Sequence, residues 1–261
     1  MDLLSRRALV GGSTQGIGRA VAEELARRGA TLTLVARNED ALRAVAAALP
    51  TPAQQPHDFI VADFSSPATL AQRVQQYLEQ NASGFDILVN NTGGPAGGPL
   101  VEAPVEAFRA AFEQHVVCNH LLAQALVPGM RQRRWGRIIN IISTSVKQPL
   151  PGLGVSNTIR GAVGNWAKTL ANELATDGIT VNNVLPGATV TQRHTSLIAK
   201  KVEETGQTTE EVEAAMLRGI PAGRFGQARE VAAAVAFLAS EAAAYITGIN
   251  VPVDGGRTSS L

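Results

Sequence analysis

Residues 8–18 read ALVGGSTQGIG, and this stretch decides the fold. Its apolar start predicts a short strand, and the residues from Gly18 to Arg28 predict a helix that ends at Gly29. Glycines are needed between such a strand and helix because the turn is tight and the backbone must approach a bound pyrophosphate closely. The helix N-terminus also favours a phosphate, so the strand, loop and helix together predict a dinucleotide-binding unit. The contacts predicted on this loop are Gly12, Ser13, Gln15, Gly16, Ile17 and Gly18.

The rest of the chain alternates short β-type runs with longer helical stretches. Further strands are predicted at residues 31–35, 59–62, 86–90, 137–142, 179–185 and 249–253. The helices between them are predicted at residues 39–49, 68–80, 105–133 and up to about 175. Such alternation implies βαβ units and a parallel sheet covered by helices on both faces. We expect one α/β domain over residues 1–261, a Rossmann-type doubly wound sheet of about seven strands, with a possible lid at residues 192–217.

The composition is that of an ordinary globular protein. Hydrophobic residues make up 45% of the 261 positions, and the net charge of +1 comes without a basic run or an acidic tail. Nucleic acid is therefore not an expected partner. The single cysteine, Cys118, excludes an intrachain disulfide and favours a reducing compartment. The first apolar run is too short for a signal sequence or a membrane span, so we expect a cytoplasmic protein without a membrane partner. No metal-ligand cluster is visible.

Further motifs follow the glycine loop in a fixed order. They are residues 90–93 (NNTG), Ser143, Pro186 and Gly187 with Thr191 beyond, and residues 253–256 (VDGG). Together with the glycine loop they resemble the short-chain dehydrogenase/reductase family, and 3-oxoacyl reductases in particular, over nearly the whole chain. Gly11 stands where the family usually has Thr. The resemblance implies a nicotinamide-dependent oxidoreductase that acts on a carbonyl or alcohol, and it implies a homotetramer.

The end of the second strand bears on the choice between NAD and NADP. An acid there would bind the ribose 2′-OH of NAD, but this position falls on Ala36 and is followed by Arg37. A guanidinium pairs well with phosphate, so we predict NADP(H), although Arg37 could also be a solvated strand-end residue. Asp63 resembles the family's adenine-contacting acid, and a turn or helix-cap role explains it nearly as well. The other predicted cofactor contacts are Phe64, Asn91, Gly93, Arg160, Pro186, Gly187 and Thr191.

The catalytic positions depart from the family pattern. The family carries a Ser, a Tyr-x-x-x-Lys helix and an Asn on the preceding long helix. Ser143 matches the Ser, whereas the Tyr position falls on Ser156, the Lys position on Arg160 and the Asn position on His115. An aliphatic hydroxyl is a far weaker acid than a phenol of pKa ~10, and Arg160 stays charged and cannot pass on a proton. Arg160 can still bind the ribose hydroxyls, so cofactor binding can survive the loss of the proton donor.

Two residues are candidates to replace the missing acid. His115 could face the cleft and titrate near neutrality, or it could be an ordinary hydrogen-bonded helix histidine. Lys147 lies four residues past Ser143 and could reach a substrate oxyanion or carboxylate, or it could lie in solvent. Our hypothesis is that Ser143 orients a polar substrate group and that His115 or Lys147 assists.

Two functions remain open at this point. One is an NADP(H)-dependent oxidoreductase with an atypical catalytic site, and the other is an NADP(H)-binding sensor or regulatory protein with little dehydrogenase activity. Residues 93–99 (GGPAGGP) follow the fourth strand at the carboxyl edge of the sheet, where open α/β folds hold ligands. A small-molecule substrate is therefore expected between this loop, the loop after Ser143 and the possible lid.

Overall fold

Seven parallel strands form the main sheet in a computed structural model, which describes residues 1–81 and 83–260. The strands of the main sheet are β1 (Arg7–Gly11), β2 (Thr31–Ala36), β3 (Asp58–Val61), β4 (Ile87–Asn90), β5 (Gly136–Ile141), β6 (Ile179–Pro186) and β9 (Asn250–Val253). The short strands β7 (Thr189–Val190) and β8 (Gly226–Gln227) form a separate pair. The order across the main sheet is β3-β2-β1-β4-β5-β6-β9. Strands are added to one side of β1 and then, from β4 onward, to the other. This order confirms the doubly wound prediction and places a ligand cleft between β1 and β4.

Helices cover both faces of this sheet. They are α1 (Gly16–Arg27), α2 (Glu39–Ala48), α3 (Pro67–Gln80), α4 (Val105–Phe112), α5 (Cys118–Arg133), α6 (Gly154–Leu174), α7 (Gln192–Thr205), α8 (Thr209–Leu217) and α9 (Ala228–Ala239). Ala8 and Val10 of β1 pack into the core under α1, α2 and α9, whereas Leu9 points into the core under α3, α5 and α6. Successive strand residues alternate between the faces, so both faces must be apolar, as the sequence indicates.

Apart from one-residue shifts at the ends of other elements, the structure differs from the predicted elements in three places. The helix predicted at residues 105–133 is interrupted by a π-helical turn, Glu113–Val117, so that α4 and α5 are separate segments. The helix α1 begins at Gly16, two residues before the predicted start. The strands β7 and β8 pair with each other and were not predicted, because two residues are too few to show a periodic pattern.

The predicted lid region is helical and broken where expected. It consists of α7 and α8, and Gly206 ends the first of them. Over residues 1–81 and 83–260, no helix is both long enough and apolar enough to span a lipid bilayer.

A row of asparagine side chains crosses the sheet just below the cleft edge. Asn90 of β4 donates from Nδ2 to Oδ1 of Asn140 in β5 at 2.8 Å, and Asn140 donates in the same way to Asn183 of β6 at 2.9 Å. Asn183 completes the row by donating to Asn250 of β9 at 2.8 Å. The row gives hydrogen-bond partners to amide groups that would otherwise be buried without them, and it links four neighbouring strands.

Candidate active site

A cleft of about 400 Å³ opens at the carboxyl edge of the sheet, above the neighbouring strands β1 and β4. The predicted cofactor residues that line this cleft are Gly12, Gln15, Gly16, Ile17, Gly18, Arg37, Asp63, Phe64, Asn91, Gly93 and Thr191. Residues that were not predicted also line it: Thr14, Asn38, Ser65, Thr92, Gln114, Gln192 and Arg193. Ser13, Arg160, Pro186 and Gly187 do not line this cleft, and Ser13 is fully buried.

The glycine loop has the geometry that the sequence predicts. Gly12 has a φ of +56°, in the left-handed region that residues with a Cβ rarely adopt. A Cβ on Gly18 would overlap the carbonyl oxygen of Gly12, so this close approach of helix and loop requires glycine. Asn91 fastens the loop by donating from Nδ2 to the Gly11 carbonyl at 3.1 Å and the Gly12 carbonyl at 3.3 Å. The loop is thus preformed for a pyrophosphate, and the residues present fit a dinucleotide.

Arg37 lines the cleft with most of its side chain in solvent. Its side chain is 77% exposed and is 3.9 Å from Asp63, an exposed ion pair that contributes little. The guanidinium is therefore free to turn toward a ribose 2′-phosphate. Asp63 also accepts a hydrogen bond from the Ser65 N–H at 2.9 Å. It both shapes a turn and lines the cleft, so the two interpretations of Asp63 are compatible.

Thr191 and the first residues of α7 form the opposite wall of the cleft. The Thr191 hydroxyl accepts a hydrogen bond from the His194 N–H at 3.2 Å and so caps the N-terminus of α7. Gly187 lies behind this wall, where its N–H donates to the Val253 carbonyl at 3.0 Å. The Pro186–Gly187 motif therefore directs the chain from β6 toward the cleft without itself lining it.

The Ser143 side chain stabilises the loop after β5. Its hydroxyl accepts a hydrogen bond from the Ser145 N–H at 3.1 Å, which opens the short 3₁₀ turn Thr144–Val146. Lys147 follows this turn, is half-buried, and forms no ion pair with a described residue. Ser156 is half-buried in the first turn of α6. The structure thus places Ser143 in the loop just after β5, and it places Ser156 and Arg160, the residues at the family's Tyr and Lys positions, on α6.

Arg160 is a buried cation in α6. It is 9% exposed, and its Nη1 donates to the Ile141 carbonyl at 2.6 Å. Within residues 1–81 and 83–260, no carboxylate forms an ion pair with it. Burial, and then the charge of Arg193, lower the pKa of Arg160 to about 10, so the guanidinium stays protonated at neutral pH. An unpaired buried charge is expensive, and such groups concentrate at functional sites.

His115 occupies the π-helical turn and is 2% exposed. Burial and then the charge of Arg160 lower the pKa of His115 to about 2, although the Gly93 carbonyl opposes this shift. The expectation that His115 could titrate near neutrality is therefore wrong, because a permanent cation lies close to a buried imidazole. Its Nε2 atom has no hydrogen-bond partner among the described residues. A neutral imidazole at this position can donate or accept a hydrogen bond but is not a proton donor at physiological pH.

The sequence analysis did not single out Arg193, which the structure places at the cleft. Arg193 donates from Nη1 to the Gly94 carbonyl at 2.7 Å and from Nη2 to the Pro95 carbonyl at 3.1 Å. These bonds fasten the start of α7 to the glycine- and proline-rich loop after β4. Its only sequence signal is its position two residues past Thr191. In the part of the chain that the structure describes, no cluster of three or more metal-ligand side chains occurs.

Comparisons with known proteins agree with this fold and cleft. A family model described as enoyl-(acyl carrier protein) reductase matches residues 12–258. The 3-oxoacyl-[acyl-carrier-protein] reductase FabG of Haemophilus influenzae is 35% identical over 95% of this chain and 96% of its own. The NADPH-dependent reductase BacG of Bacillus subtilis is 31% identical over 98% of this chain and 99% of its own.

A solved structure extends the agreement to three dimensions. The L-sorbose reductase of Gluconobacter frateurii, complexed with NADPH and L-sorbose, superimposes with a TM-score of 0.92 at 32% identity and covers 100% of both chains. The fold and cleft define a Rossmann-type protein built for a nicotinamide dinucleotide. The chain belongs to the short-chain dehydrogenase/reductase family.

Proposed function

We propose that this protein is an oxidoreductase that transfers a hydride between NADP(H) and a carbonyl or alcohol substrate. The observation that carries the proposal is the preformed cleft, with its glycine loop on one side and the Thr191 wall on the other. The relatives support it, since they include NADPH-dependent reductases that match over nearly their whole length.

NADP(H) is the cofactor. The position that would carry an NAD-selecting acid is Ala36, and the exposed guanidinium of Arg37 follows it at the adenosine end of the cleft. When bound, NADP(H) supplies or accepts the hydride. The backbone N–H groups of the glycine loop would hold the pyrophosphate, and Arg37 would hold the 2′-phosphate. Asp63 and Phe64 would contact the adenosine, and Arg160 would bind the nicotinamide ribose.

The catalytic site, as proposed, orients the substrate without a strong proton donor. The hydroxyls of Ser143 and Ser156 can hydrogen-bond a substrate oxygen, but they are weak acids. Arg160 keeps its proton, and His115 is a neutral imidazole at neutral pH, which is too weak an acid to protonate the substrate. The ammonium group of Lys147 is the remaining candidate donor. Because a positioned general acid contributes about 10²–10⁴-fold, we expect slow turnover unless Lys147 or solvent delivers the proton.

The test measures NADPH oxidation by the purified protein against ketones, 3-oxoacyl thioesters and quinones. NADPH binding is followed by fluorescence in the same samples. Turnover of any substrate, with a Kd for NADPH well below that for NADH, would support the proposal. Tight NADPH binding without turnover across the panel would contradict it and favour the sensor or regulatory alternative.

The homotetramer stays a prediction from the family resemblance. Several large apolar side chains are exposed on the single chain and are available for such contacts: Val105, Phe112, Phe237, Tyr245 and Ile249. Light scattering coupled to size-exclusion chromatography would test it. A monomeric mass would contradict this part of the proposal and leave the catalytic part intact.

A further inference from the structure

The residues that follow β9 contact three other segments of the chain. Residues 253–256 (VDGG) form the end of β9 and the start of a C-terminal segment (residues 254–260). The pairing between β6 and β9 stops at Val253, which lies beside Pro186, so the C-terminal segment lies outside the sheet. Its contacts are with the turn after β6, the chain after α8 and the loop after β5.

The first contact fixes the turn between β6 and β7. The Gly187 N–H donates to the Val253 carbonyl at 3.0 Å. A Cβ on Gly187 would lie only 2.7 Å from the Cβ of Asp254, so the chain approaches this closely only because residue 187 is glycine. Asp254 therefore packs against the turn that leads to β7 and to Thr191.

The second contact fixes the chain that follows α8. Gly255 has a φ of +65°, in the left-handed region, and its carbonyl accepts a hydrogen bond from the Ala222 N–H at 3.0 Å. A Cβ on Gly255 would lie 2.9 Å from side-chain atoms of both Ile220 and Ala222. Ile220 is buried, so this contact anchors the chain where it returns from α8 toward β8.

The third contact reaches the loop after β5. The Asp254 carboxylate bends the C-terminal segment back, because Oδ1 accepts from the Gly256 N–H at 3.0 Å and Oδ2 from the Thr258 N–H at 2.8 Å. Beyond this turn, the N–H and the hydroxyl of Ser259 both donate to Oε1 of Gln148, at 3.3 Å and 3.1 Å. The C-terminal segment is thus tied to a loop that is distant in the sequence.

Gln148 belongs to the loop that carries two of the proposed catalytic residues. It directly follows Lys147, and its N–H donates to the Thr144 carbonyl at 3.1 Å, within the turn that Ser143 opens. The contact between Gln148 and Ser259 therefore limits the movement of the backbone that carries Ser143 and Lys147.

We infer that the C-terminal segment positions residues 143–147 for the reaction, and that Asp254 and Gln148 are positioning residues. This inference rests on the proposed function. Asp254 is central to it, because its carboxylate forms the turn that brings Ser259 to Gln148. Small displacements of the groups that orient a substrate lower the rate steeply. The described residues 254–260 do not line the cofactor cleft, so this segment should affect turnover and leave NADPH binding unchanged.

Hydrogen exchange, followed by mass spectrometry, tests the hold on the loop without any substrate. In Asp254→Asn an NH₂ group replaces one of the two accepting oxygens. We expect residues 144–153 and 218–226 to exchange about tenfold faster, because the turn that holds the C-terminal segment is weakened. Exchange in the glycine loop, residues 11–18, should not change.

Asp58→Asn is the matched control variant. The Asp58 carboxylate also accepts a backbone hydrogen bond, from the Phe59 N–H at 2.8 Å, but it lies on β3 at the opposite edge of the sheet from β9. Exchange in residues 144–153 should stay at the wild-type rate in this variant.

Steady-state kinetics with a confirmed substrate test the link to the reaction. In Asp254→Asn, kcat/KM should fall about tenfold while the Kd for NADPH stays within about twofold of the wild type. Gln148→Leu should lower kcat/KM about two- to fivefold, and it should fold normally because Gln148 is exposed. Gln148→Glu keeps an accepting oxygen and should retain the wild-type kcat/KM.

Three outcomes would overturn the inference. Unchanged exchange in residues 144–153 of Asp254→Asn would show that the C-terminal segment does not hold this loop. Faster exchange there with an unchanged kcat/KM would show that the hold does not serve the reaction. Faster exchange across the whole chain, with a matching loss of NADPH affinity, would show that Asp254 serves general stability instead.

A wild-type protein that turns over no substrate contradicts the proposed function and is a separate result. Faster exchange confined to residues 144–153 and 218–226 would then still support the hold on the loop. Unchanged exchange would contradict that hold whether or not a substrate is found.

Discussion

The guanidinium of Arg160 donates a 2.6 Å hydrogen bond to the carbonyl of Ile141, the last residue of β5. This bond ties α6 to the carboxyl end of a central strand, and it holds a permanent positive charge inside the site. The same charge helps to keep His115 neutral. Burial, and then the charge of the residue in the family's Lys position, thus keep the residue in the family's Asn position neutral, and the predictions about catalysis follow from this arrangement.

Restoring the family's acid should accelerate the reaction. In Ser156→Tyr/Arg160→Lys, a phenol replaces the aliphatic hydroxyl, and a lysine lies one helical turn away. We expect kcat for a confirmed carbonyl substrate to rise about tenfold or more, because a positioned general acid contributes about 10²–10⁴-fold. Stopped-flow measurement of NADPH oxidation would check this. Ser156→Phe/Arg160→Lys is the control, since it adds the ring without the phenol, and an equal rise in that variant would speak against proton donation.

His115 should make the protein sensitive to acid. Its pKa is about 2 in the folded protein, below the value near ~6.5 of an unfolded chain. Because the unfolded state binds the proton more readily, stability should fall as the pH drops below about 6.5. Between pH 7 and pH 5 this effect is worth up to about 2 kcal/mol.

Urea unfolding at the two pH values would measure that difference. In His115→Asn the loss of stability between pH 7 and pH 5 should be smaller than in the wild type by up to about 2 kcal/mol. His120→Asn is the comparison, because His120 is an exposed histidine on α5. An identical pH dependence in wild type and His115→Asn would show that the imidazole is not held neutral by its surroundings.

Arg37 should select NADP(H) over NAD(H). Removing its guanidinium in Arg37→Gln should raise the Kd for NADPH about 10- to 100-fold and leave the Kd for NADH nearly unchanged, since only the 2′-phosphate differs. Fluorescence titration with both cofactors checks this. Arg43→Gln provides a control, because Arg43 is an exposed arginine of α2 that pairs with Glu39. If Arg37→Gln weakens the binding of both cofactors equally, then Arg37 does not recognise the 2′-phosphate.

The parts of the structure that follow from local pattern could be predicted from the sequence. The alternation of apolar strands with helices indicated the seven-stranded sheet, and the spacing of Gly12, Gly16 and Gly18 indicated the phosphate loop. Each depends on residues that are neighbours in the chain. The strands β7 and β8 could not be predicted because two residues are too few to show a periodic pattern.

The electrostatics of the catalytic site could not be predicted in the same way. The neutrality of His115 depends on burial and on Arg160, which α6 brings to it from a distant part of the sequence. The π-helical turn around His115 has no periodic signature of its own, because the apolar pattern continues on either side of it. Arg193 acquires its position only when α7 packs against the loop after β4. Such features depend on contacts between elements, and a local pattern does not encode them.

The asparagine row should contribute strongly to stability. In Asn140→Ala, the Nδ2 group of Asn90 and the Oδ1 atom of Asn183 both lose their partner while they stay buried. Each buried polar group left without a partner costs about 1–3 kcal/mol, so we expect the free energy of unfolding to fall by about 2–5 kcal/mol. Urea unfolding monitored by circular dichroism measures this.

Asn165→Ala removes an exposed asparagine from α6 and serves as the control, with an expected change within about 0.5 kcal/mol. The affinity for NADPH shows whether losing the asparagine row affects the sheet alone or also the cofactor site. Because Asn90 directly precedes Asn91, which fastens the glycine loop, loss of the row should also raise the Kd for NADPH, by about two- to tenfold. A large loss of stability with unchanged NADPH affinity would show that the row supports the sheet alone and that Asn91 holds the loop independently of it.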